Sequence, residues 1–256
     1  MEIRILGAHN RETQTTSCIC FLIDKTLAID AGSITSNLSI SAQKTLDAIL
    51  LTHQHYDHIR DIPGLALNLA LQGGNIQIYS TDDVRATIET HLLNDKVYPK
   101  FHELPAVEPT ISLNVIKPYE SKMIDGHKIL PVPVNHGDTT VGYQVSDEQG
   151  KKIFYTADTG PGLSECWKHI SPQLLIVDVT LPNAYEEFAK ETGHLTPNLL
   201  KQELIIFQEL KGYLPQVIAV HMDTGLEQEI EEEISAVAKA LGISITMAQE
   251  GMQIHI

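Results

Sequence analysis

Residues 51–58 read Leu-Thr-His-Gln-His-Tyr-Asp-His and place three histidines and one aspartate within six positions. An apolar run, residues 48–51, comes before them and is typical of a short buried strand. Apolar residues at helical spacing come after them, so the stretch is predicted to be a strand-to-helix loop. In an extended chain, residues two apart point the same way. We therefore expect His53, His55 and Asp57 to converge on one point.

This loop carries enough donors for two adjacent metal ions. His53 and His55 suit a first ion, and Asp57 and His58 suit a second. Burying three histidines and an aspartate without partners would be unfavourable, so chance clustering is the weaker explanation. The stretch therefore predicts one half of a binuclear metal site.

The composition is typical of a globular protein and narrows the substrate class. Of 256 residues, 43% are hydrophobic and 20% are charged. The net charge is −15, from 18 basic and 33 acidic residues. Contacts to a nucleic-acid backbone are made mainly by Lys and Arg, so this balance disfavours long nucleic acid as a partner. No apolar run approaches the roughly 20 residues of a membrane helix. Residues 1–7 also lack a signal-peptide pattern, so we expect a cytoplasmic protein without a membrane partner.

The succession of elements predicts one α/β domain over residues 1–256, with hairpins that make its sheets mixed. Hairpin signals lie at Asp125-Gly126-His127 and at residues 147–150. Two long helices are predicted near the end, one after Thr196-Pro197 and one ending before Gly242. No linker or repeat divides the chain. Strands are predicted at residues 2–6, 17–23, 27–30, 48–52, 76–79, 123–124, 128–130, 132–134, 141–145, 152–156, 174–179, 217–220, 243–247 and 253–256.

Three further polar residues lie at or just beyond the carboxyl ends of predicted strands, where α/β scaffolds assemble their sites. Each of them alone is explained more simply as a hydrogen-bonded loop or turn residue. Together with the first loop they complete two sets of three donors around one shared carboxylate. The sets are His53, His55 and His136; Asp57, His58 and His221; and the bridging Asp158.

The pattern His53-x-His55-x-Asp57-His58 resembles the signature of the metallo-β-lactamase superfamily of binuclear metallohydrolases. The resemblance implies a four-layer αββα sandwich with two metal ions at one edge of its paired sheets. It also implies that His136, Asp158 and His221 are the later ligands. The β-lactamases proper carry Cys in place of Asp158, and the di-iron flavoproteins carry Glu in place of His55. We therefore expect zinc and hydrolysis, with Mn²⁺ or Fe²⁺ as alternative ions.

A second motif, Gly193-His194-Leu195-Thr196-Pro197, is similar to an element of the class II 3′,5′-cyclic nucleotide phosphodiesterases. The tRNA 3′-processing nucleases have a comparable Gly-His-Ser-Thr. Gly7-Ala8-His9-Asn10 and Asp158-Thr159-Gly160-Pro161 also resemble the phosphodiesterases. Two departures, Tyr56 where Leu is more common and Met222-Asp223-Thr224 where Lys-Pro is typical, concern the fit of the substrate.

These features predict a hydrolase that cleaves 3′,5′-cyclic nucleotides, a small-molecule phosphodiester, with two divalent ions that activate water. Asp57 and His194 are the catalytic candidates. His194 would bind the phosphoryl oxygens or protonate the leaving oxygen. The alternative for His194 is a loop histidine that only caps or packs. His9 receives no catalytic role, although it follows the first strand and could approach the site.

Other functions stay open at this stage. A tRNA 3′-processing nuclease is disfavoured by the acidic balance and by the lack of a long basic arm between His58 and His136. A lactonase or thioesterase on the same fold is a further alternative. A non-catalytic binding or scaffold subunit is disfavoured because the donor set is complete. The resemblance also implies a homodimer, with residues 97–101 as the candidate interface.

Overall fold

Two mixed sheets form the centre of the computed structural model, which describes residues 1–137 and 139–256. The first sheet is antiparallel as far as β3 and parallel from there onward. Within the described chain its strand order is β14 (Gln253–His255), β1 (Glu2–Gly7), β2 (Cys20–Ile23), β3 (Leu27–Ile29), β4 (Ala48–Leu50), β5 (Ile76–Ser80) and β6 (Ile111–Val115).

The second sheet repeats this arrangement, with a parallel half followed by an antiparallel half that ends in two hairpins. Its order among the described residues is β13 (Ile245–Met247), β12 (Gln216–Val220), β11 (Leu174–Asp178), β10 (Lys152–Tyr155), β9 (Val141–Ser146), β8 (His127–Pro133) and β7 (Lys122–Ile124).

Helices cover the outer face of each sheet. Those of the first half are α1 (Ile34–Asn37), α2 (Ile40–Gln43), α3 (Tyr56–Ile59), α4 (Ile62–Leu71) and α5 (Asp82–Thr87), which continues into a π-helical turn, Ile88–Leu92. Those of the second half are α6 (Ser164–His169), α7 (Glu186–Thr192), α8 (Pro197–Lys211) and α9 (Glu227–Leu241), with a 3₁₀ turn at Asn183–Tyr185. No helix of the described residues combines the length and apolar character needed to cross a bilayer.

The core follows from the alternation of side chains along each strand. In β10, Tyr155 points between the sheets, where its ring meets Phe21 of β2 edge to face with centroids 4.8 Å apart. Its neighbour Phe154 points outward and packs with Trp167 and the long helices. A third apolar cluster joins the first sheet to α4. Three apolar layers separate four structural layers, and the predicted αββα sandwich is confirmed.

Several boundaries differ from the prediction for local reasons. The strand predicted from residue 17 begins at Cys20, because Ile19 accepts a hydrogen bond from Gly32 instead of joining the ladder. The helix predicted after the histidine loop is divided into α3 and α4. Pro63 lies in the first turn of α4, and it has no N–H to continue the bonding of α3.

The edge strand β6 was not predicted. Its sequence, Ile-Ser-Leu-Asn-Val, alternates apolar with small polar residues that are also common in loops. In residues 97–101, Phe101 is buried and Tyr98 packs against the core of the first half, while Val97 is exposed. The segment thus contributes to its own domain core, and its role in a dimer stays a prediction.

Candidate metal centre

Strand ends of both sheets meet at one edge of the sandwich and carry the candidate ligands. The histidine loop follows β4, and the Val141 N–H donates to the Thr52 carbonyl across the gap at 3.2 Å. The Tyr143 hydroxyl donates to the Leu51 carbonyl at 2.7 Å. These two bonds fix the loop of the first sheet against β9 of the second, so ligands far apart in sequence lie side by side.

The structure brings the seven predicted ligands into two adjacent groups. In each group, one ligand atom per residue lies within 4.8 Å of those of the others. The groups are His53, His55, His136 and Asp158; and Asp57, His58, Asp158 and His221. This division is the one predicted from the sequence. Asp57 reaches its group from the first turn of α3 and not from an extended chain.

Asp158 is the member common to both groups and is 2% exposed. Its Oδ2 lies 3.6 Å from His53 Nε2 and 3.3 Å from His221 Nε2. Its Oδ1 lies 3.3 Å from His58 Nε2. One carboxylate therefore faces nitrogen donors of both groups, which is the position of a bridging ligand.

The outer ring nitrogens of four histidines are held by hydrogen bonds. Because Nδ1 is occupied, the inner Nε2 is the nitrogen left to coordinate a cation. The partners are Thr52 Oγ1 for His53 at 3.0 Å, Asp30 Oδ2 for His58 at 2.8 Å, the Gly193 carbonyl for His136 at 2.9 Å and Thr180 Oγ1 for His221 at 2.7 Å.

The inner atoms fit a metal pair for a second reason. His53 Nε2, His58 Nε2 and Asp158 Oδ1 are buried and lack hydrogen-bond partners among the described residues. Buried polar atoms normally have hydrogen-bond partners, so three ligand atoms that face one space without a partner need an explanation. Divalent cations would satisfy them, because imidazole nitrogens and carboxylate oxygens are the usual ligands of zinc and similar ions. The two clusters are suited to a pair of divalent ions.

The electrostatic field favours positive charge in the second group, whereas burial and neighbouring imidazoles lower the pKa values of His53 and His55 in the first. Burial raises the pKa of Asp158, but the nearby imidazoles of His221 and His58 outweigh burial and hold it well below its ordinary value. Burial lowers the pKa of His58, yet the carboxylates of Asp158 and Asp30 raise it well above the usual range. The field that retains a proton on His58 would equally attract a metal cation.

Three residues at this edge adopt left-handed backbone although they are not glycine. They are Asp30, Ala157 and His221, with φ values of 58°, 59° and 67°. Such conformations are unfavourable for side chains with a Cβ and persist only where the surroundings impose them. Each ends a strand, and the abrupt turn aims the side chain of the residue, or of the next one, into the site.

His194 lies beside the second group and is held by Asp178 at the end of β11. Its Nδ1 donates to Asp178 Oδ2 at 2.7 Å, and its ring stacks on His221 with centroids 5.2 Å apart. Burial lowers the pKa of His194, but the charge and hydrogen bond of Asp178, with the charges of Asp158 and Asp57, outweigh burial and raise the pKa to about 9. In the metal-free protein, this environment favours the protonated form of His194 at neutral pH.

Sequence reasoning missed the residues that support the ligands. Asp30, Asp178 and Thr180 bond to histidines of the site, and none of them was given a role in it. A usable signal exists for the two aspartates, since each is a carboxylate at the carboxyl end of an otherwise apolar strand. His9 lies behind the site: its ring bonds to Glu250 and not to any candidate ligand.

Comparison with known proteins identifies the family. Residues 27–222 match the family model of the beta-lactamase superfamily domain. The chain therefore belongs to the metallo-β-lactamase superfamily. Ribonuclease Z of Listeria welshimeri is 28% identical over 159 residues, which are 56% of this chain and 48% of the nuclease. A metal-dependent hydrolase of Polaromonas sp. is 26% identical over 164 residues, 62% of this chain and 58% of that protein.

Solved structures show the same fold over the whole chain. Unliganded yeast PDE1 superposes with a TM-score of 0.84 at 17% identity and covers 100% of this chain and 99% of its own. The short form of human tRNase Z gives 0.69 at 21% identity, with 100% and 99% covered. The chain spans about half the length of the ribonuclease Z that it matches by sequence. Superfamily and relatives together point to a metal-dependent hydrolase.

Proposed function

We propose that this protein is a phosphodiesterase that opens 3′,5′-cyclic nucleotides, such as cAMP or cGMP, to nucleoside 5′-monophosphates. The observation that carries the proposal is the Asp178–His194 pair beside the two ligand groups. A fixed imidazolium next to a metal pair is complementary to anionic phosphoryl oxygens. An uncharged lactone or thioester has no comparable need for an imidazolium in addition to the metal pair.

Two divalent ions, zinc in this proposal, would be held by the seven ligands already described. When bound, such ions supply Lewis-acid activation of water and of a phosphoryl oxygen. They bring four positive charges, and Asp57 and Asp158 return two negative charges. The site is then positive within a protein whose net charge is −15. A phosphodiester carries one negative charge and is attracted to that position.

The residues of the chain supply orientation and a proton. His194 donates a hydrogen bond to a phosphoryl oxygen and gives its proton to the 3′ oxygen as the phosphorus–oxygen bond breaks. Water contributes the oxygen that remains on phosphorus, so the products are a 5′-phosphate and a free 3′-hydroxyl. Asp178 holds Nδ1 and stabilises the cationic ring before the proton leaves.

A cavity of about 500 Å³ lies beside the loop of His136. Its walls include Val115 at the end of β6, Ile116 after it, and Val134 and Thr140 on either side of His136. The volume lies in the range of ligand sites that enclose one small molecule. None of the seven candidate ligands lines the cavity, and neither does His194, so in this proposal it holds the nucleoside while the phosphate reaches past the His136 loop to the ligand groups.

A second candidate is endonucleolytic cleavage of a tRNA precursor, because a sequence relative is named ribonuclease Z. The acidic balance of this chain opposes a long nucleic acid, since few Lys and Arg are present to contact phosphates. Structural coverage does not separate the two candidates, since the short form of human tRNase Z is covered over 99% of its own chain. The cyclic nucleotide therefore remains the substrate that we propose.

The deciding experiment compares substrates on zinc-reconstituted protein. Cyclic AMP, cyclic GMP, bis(4-nitrophenyl) phosphate, a tRNA precursor with a 3′ trailer and a lactone are assayed side by side. We expect turnover of the cyclic nucleotides and release of 5′-monophosphates. Cleavage confined to the tRNA precursor would favour the second candidate. Turnover of the lactone alone would refute a phosphodiesterase of either kind.

A further inference from the structure

His9 lies just after β1 and is buried between two carboxylates from distant parts of the chain. Its Nδ1 is 2.7 Å from Glu250 Oε1, in the turn between β13 and β14. Its Nε2 is 3.6 Å from Glu227 Oε1, in the first turn of α9. The ring is 2% exposed. His9 therefore links the start of the chain to the turn between its last two strands, and Glu227 of the last helix lies just beyond hydrogen-bond distance on the other side of the ring.

This cluster also holds the backbone at Ala8 and at Ser17. Glu250 Oε1 accepts hydrogen bonds from the backbone N–H of Ala8 at 3.4 Å and of Ser17 at 2.9 Å. Burial lowers the pKa of His9, but the carboxylates of Glu250 and Glu227 together outweigh burial and raise the pKa. The pKa of the Glu250 carboxyl is lowered in turn. His9 and Glu250 thus form an ion pair that is partly shielded from water. The lower local dielectric makes the interaction stronger than that of a pair on the surface.

The fixed segment bears on a candidate ligand. The His221 N–H donates to the Ala8 carbonyl at 2.6 Å, and Asn10 N–H donates to the Met222 carbonyl at 3.5 Å. His9 and Met222 also pair as an isolated parallel bridge. Since His221 is held at a φ of 67°, its backbone would relax to a more favourable conformation if this anchor loosened.

We propose that His9 is a positioning residue for the second ligand group. The Glu250–His9–Glu227 cluster holds the Ala8 carbonyl against the His221 N–H, and this contact keeps the His221 imidazole among Asp57, His58 and Asp158. His9 touches neither substrate nor metal. The inference rests on the metal pair of the proposed function, but it does not depend on which ester is cleaved.

The test measures metal binding directly and needs no substrate. Metal-free protein is titrated with Co²⁺ and followed by calorimetry and visible absorption. His136→Ala and His221→Ala identify which binding phase belongs to the first and to the second group. In His9→Ala we expect affinity for the second ion to fall about 10-fold to 100-fold, with the first unchanged, as is usual for residues that support ligands. His9→Gln can still bond to Glu250 and should recover part of the loss.

His127→Ala is the matched control. His127 is also buried and bonds to a carboxylate, Asp24 Oδ2, at 3.0 Å, but it lies at the opposite end of β8 from His136. It should leave both Co²⁺ affinities unchanged. The proposal fails if His9→Ala binds two ions with wild-type affinities. It also fails if His9→Ala and His127→Ala both weaken the binding of the two ions to the same extent. It fails together with the metal assignment if the wild type binds fewer than two ions. Binding of two ions without turnover of any cyclic nucleotide would overturn only the proposed substrate.

Discussion

Replacing His194 by Ala removes a cation from the site without removing a ligand from either group. We expect kcat for cyclic AMP to fall about 100-fold to 10,000-fold, the usual range for loss of a positioned proton donor. The protein should still bind two ions per chain. Steady-state kinetics combined with metal analysis of the same preparation checks both parts.

His169→Ala is the control for this substitution. His169 is exposed and bonds to Glu165 on α6, so its loss should change neither turnover nor metal content. Loss of metal from His194→Ala would show that His194 is a ligand or a structural residue, contrary to its proposed role. The ligand atoms of Asp178, His194 and His221 lie within 4.8 Å of one another, so such a loss would assign these three residues to a metal ion.

The ion pair of His9 and Glu250 predicts a pH dependence of stability. The pKa of His9 is raised above 6.5, so its contribution is complete below pH 6.5 and is lost as pH rises through the folded-state pKa. The pKa of Glu250 is lowered below 4.5, so its contribution is complete above pH 4.5 and is lost as pH falls through the folded-state pKa. The pair therefore stabilises most between these two ordinary values.

His9→Gln measures this contribution. We expect the metal-free wild type to exceed the variant in unfolding free energy by about 1 kcal/mol within that window, because glutamine can keep a hydrogen bond to Glu250 but loses the positive charge. The difference should shrink at higher pH. Urea unfolding of both proteins across the pH range provides the comparison, and a difference that does not change with pH would contradict the ion pair.

At the residue scale, the sequence predicted the candidate ligands better than their supports. His53, His55, Asp57 and His58 are recognisable because their spacing is unusual. Asp30 and Asp178 carry a weaker signal, because an aspartate at the end of an apolar strand has the same sequence context whether it bonds to a histidine or turns the chain. Only the folded structure brings Asp30 to His58, 28 residues away.

Among the elements, the turn between α7 and α8 has little tolerance for a side chain. Gly193 has a φ of 73°, and a Cβ there would lie 2.9 Å from His136 Nδ1. Gly193→Ala should therefore displace His136 and weaken the first ion about 10-fold or more. Left-handed strain adds about 1–2 kcal/mol of destabilisation. Co²⁺ titration and urea unfolding measure the two effects separately.

Gly212→Ala separates strain from contact. Gly212 ends α8 with a φ of 77°, and a Cβ there would meet nothing within 4 Å. This variant should lose a similar unfolding free energy but keep wild-type affinity for both ions. Equal Co²⁺ affinities in the two alanine variants would mean that Gly193 matters only for its backbone conformation.

The end of β6 predicts how the substrate fits. Val115 lines the cavity next to the His136 loop and is 43% exposed, so a larger side chain can be accommodated without disturbing the core. Val115→Trp should raise KM for cyclic AMP about 10-fold with little change in kcat, because it removes binding space and not chemistry. Kinetics with bis(4-nitrophenyl) phosphate gives the comparison with a different diester.

Met123→Trp on β7 is the matched control, because Met123 is also exposed but does not line the cavity. It should leave both kinetic constants unchanged. An unaltered KM in Val115→Trp would place the nucleoside elsewhere on the protein.

For the elements, periodicity predicted the type of most strands and long helices, and less well where they begin and end. Pro63 divides one predicted helix into two. A backbone hydrogen bond from Gly32 to Ile19 makes one predicted strand begin later, at Cys20. Short helices such as α1 and α6 escaped prediction because four to six residues carry too little periodic signal.

At the scale of the whole molecule, the candidate ligands join the two sheets. His53 follows a strand of the first sheet, whereas Asp158 and His221 follow strands of the second. Removing metal should therefore lower the stability of the entire sandwich. Each ion present at 100 times its Kd would contribute about 2.7 kcal/mol.

Calorimetry with and without a chelator tests this coupling. We expect one lower unfolding midpoint for the metal-free protein and recovery after zinc is added back. Identical midpoints would contradict ligation across both sheets. The layered fold itself was predictable from the histidine motif by resemblance, while the meeting of the two sheets at the ligands depends on long-range packing that no local pattern encodes.

The hairpin between β9 and β10 has a practical consequence. Strand β9 begins shortly after His136, and strand β10 ends shortly before Asp158. The hairpin turn at residues 147–150 therefore projects from the opposite side of the sandwich. Gln149 is exposed there, whereas Cys18, Cys20 and Cys166 are all buried. A cysteine introduced at Gln149 would be the accessible thiol for maleimide coupling. The protein could then be tethered to a sensor surface with the edge that carries the candidate ligands facing the solution.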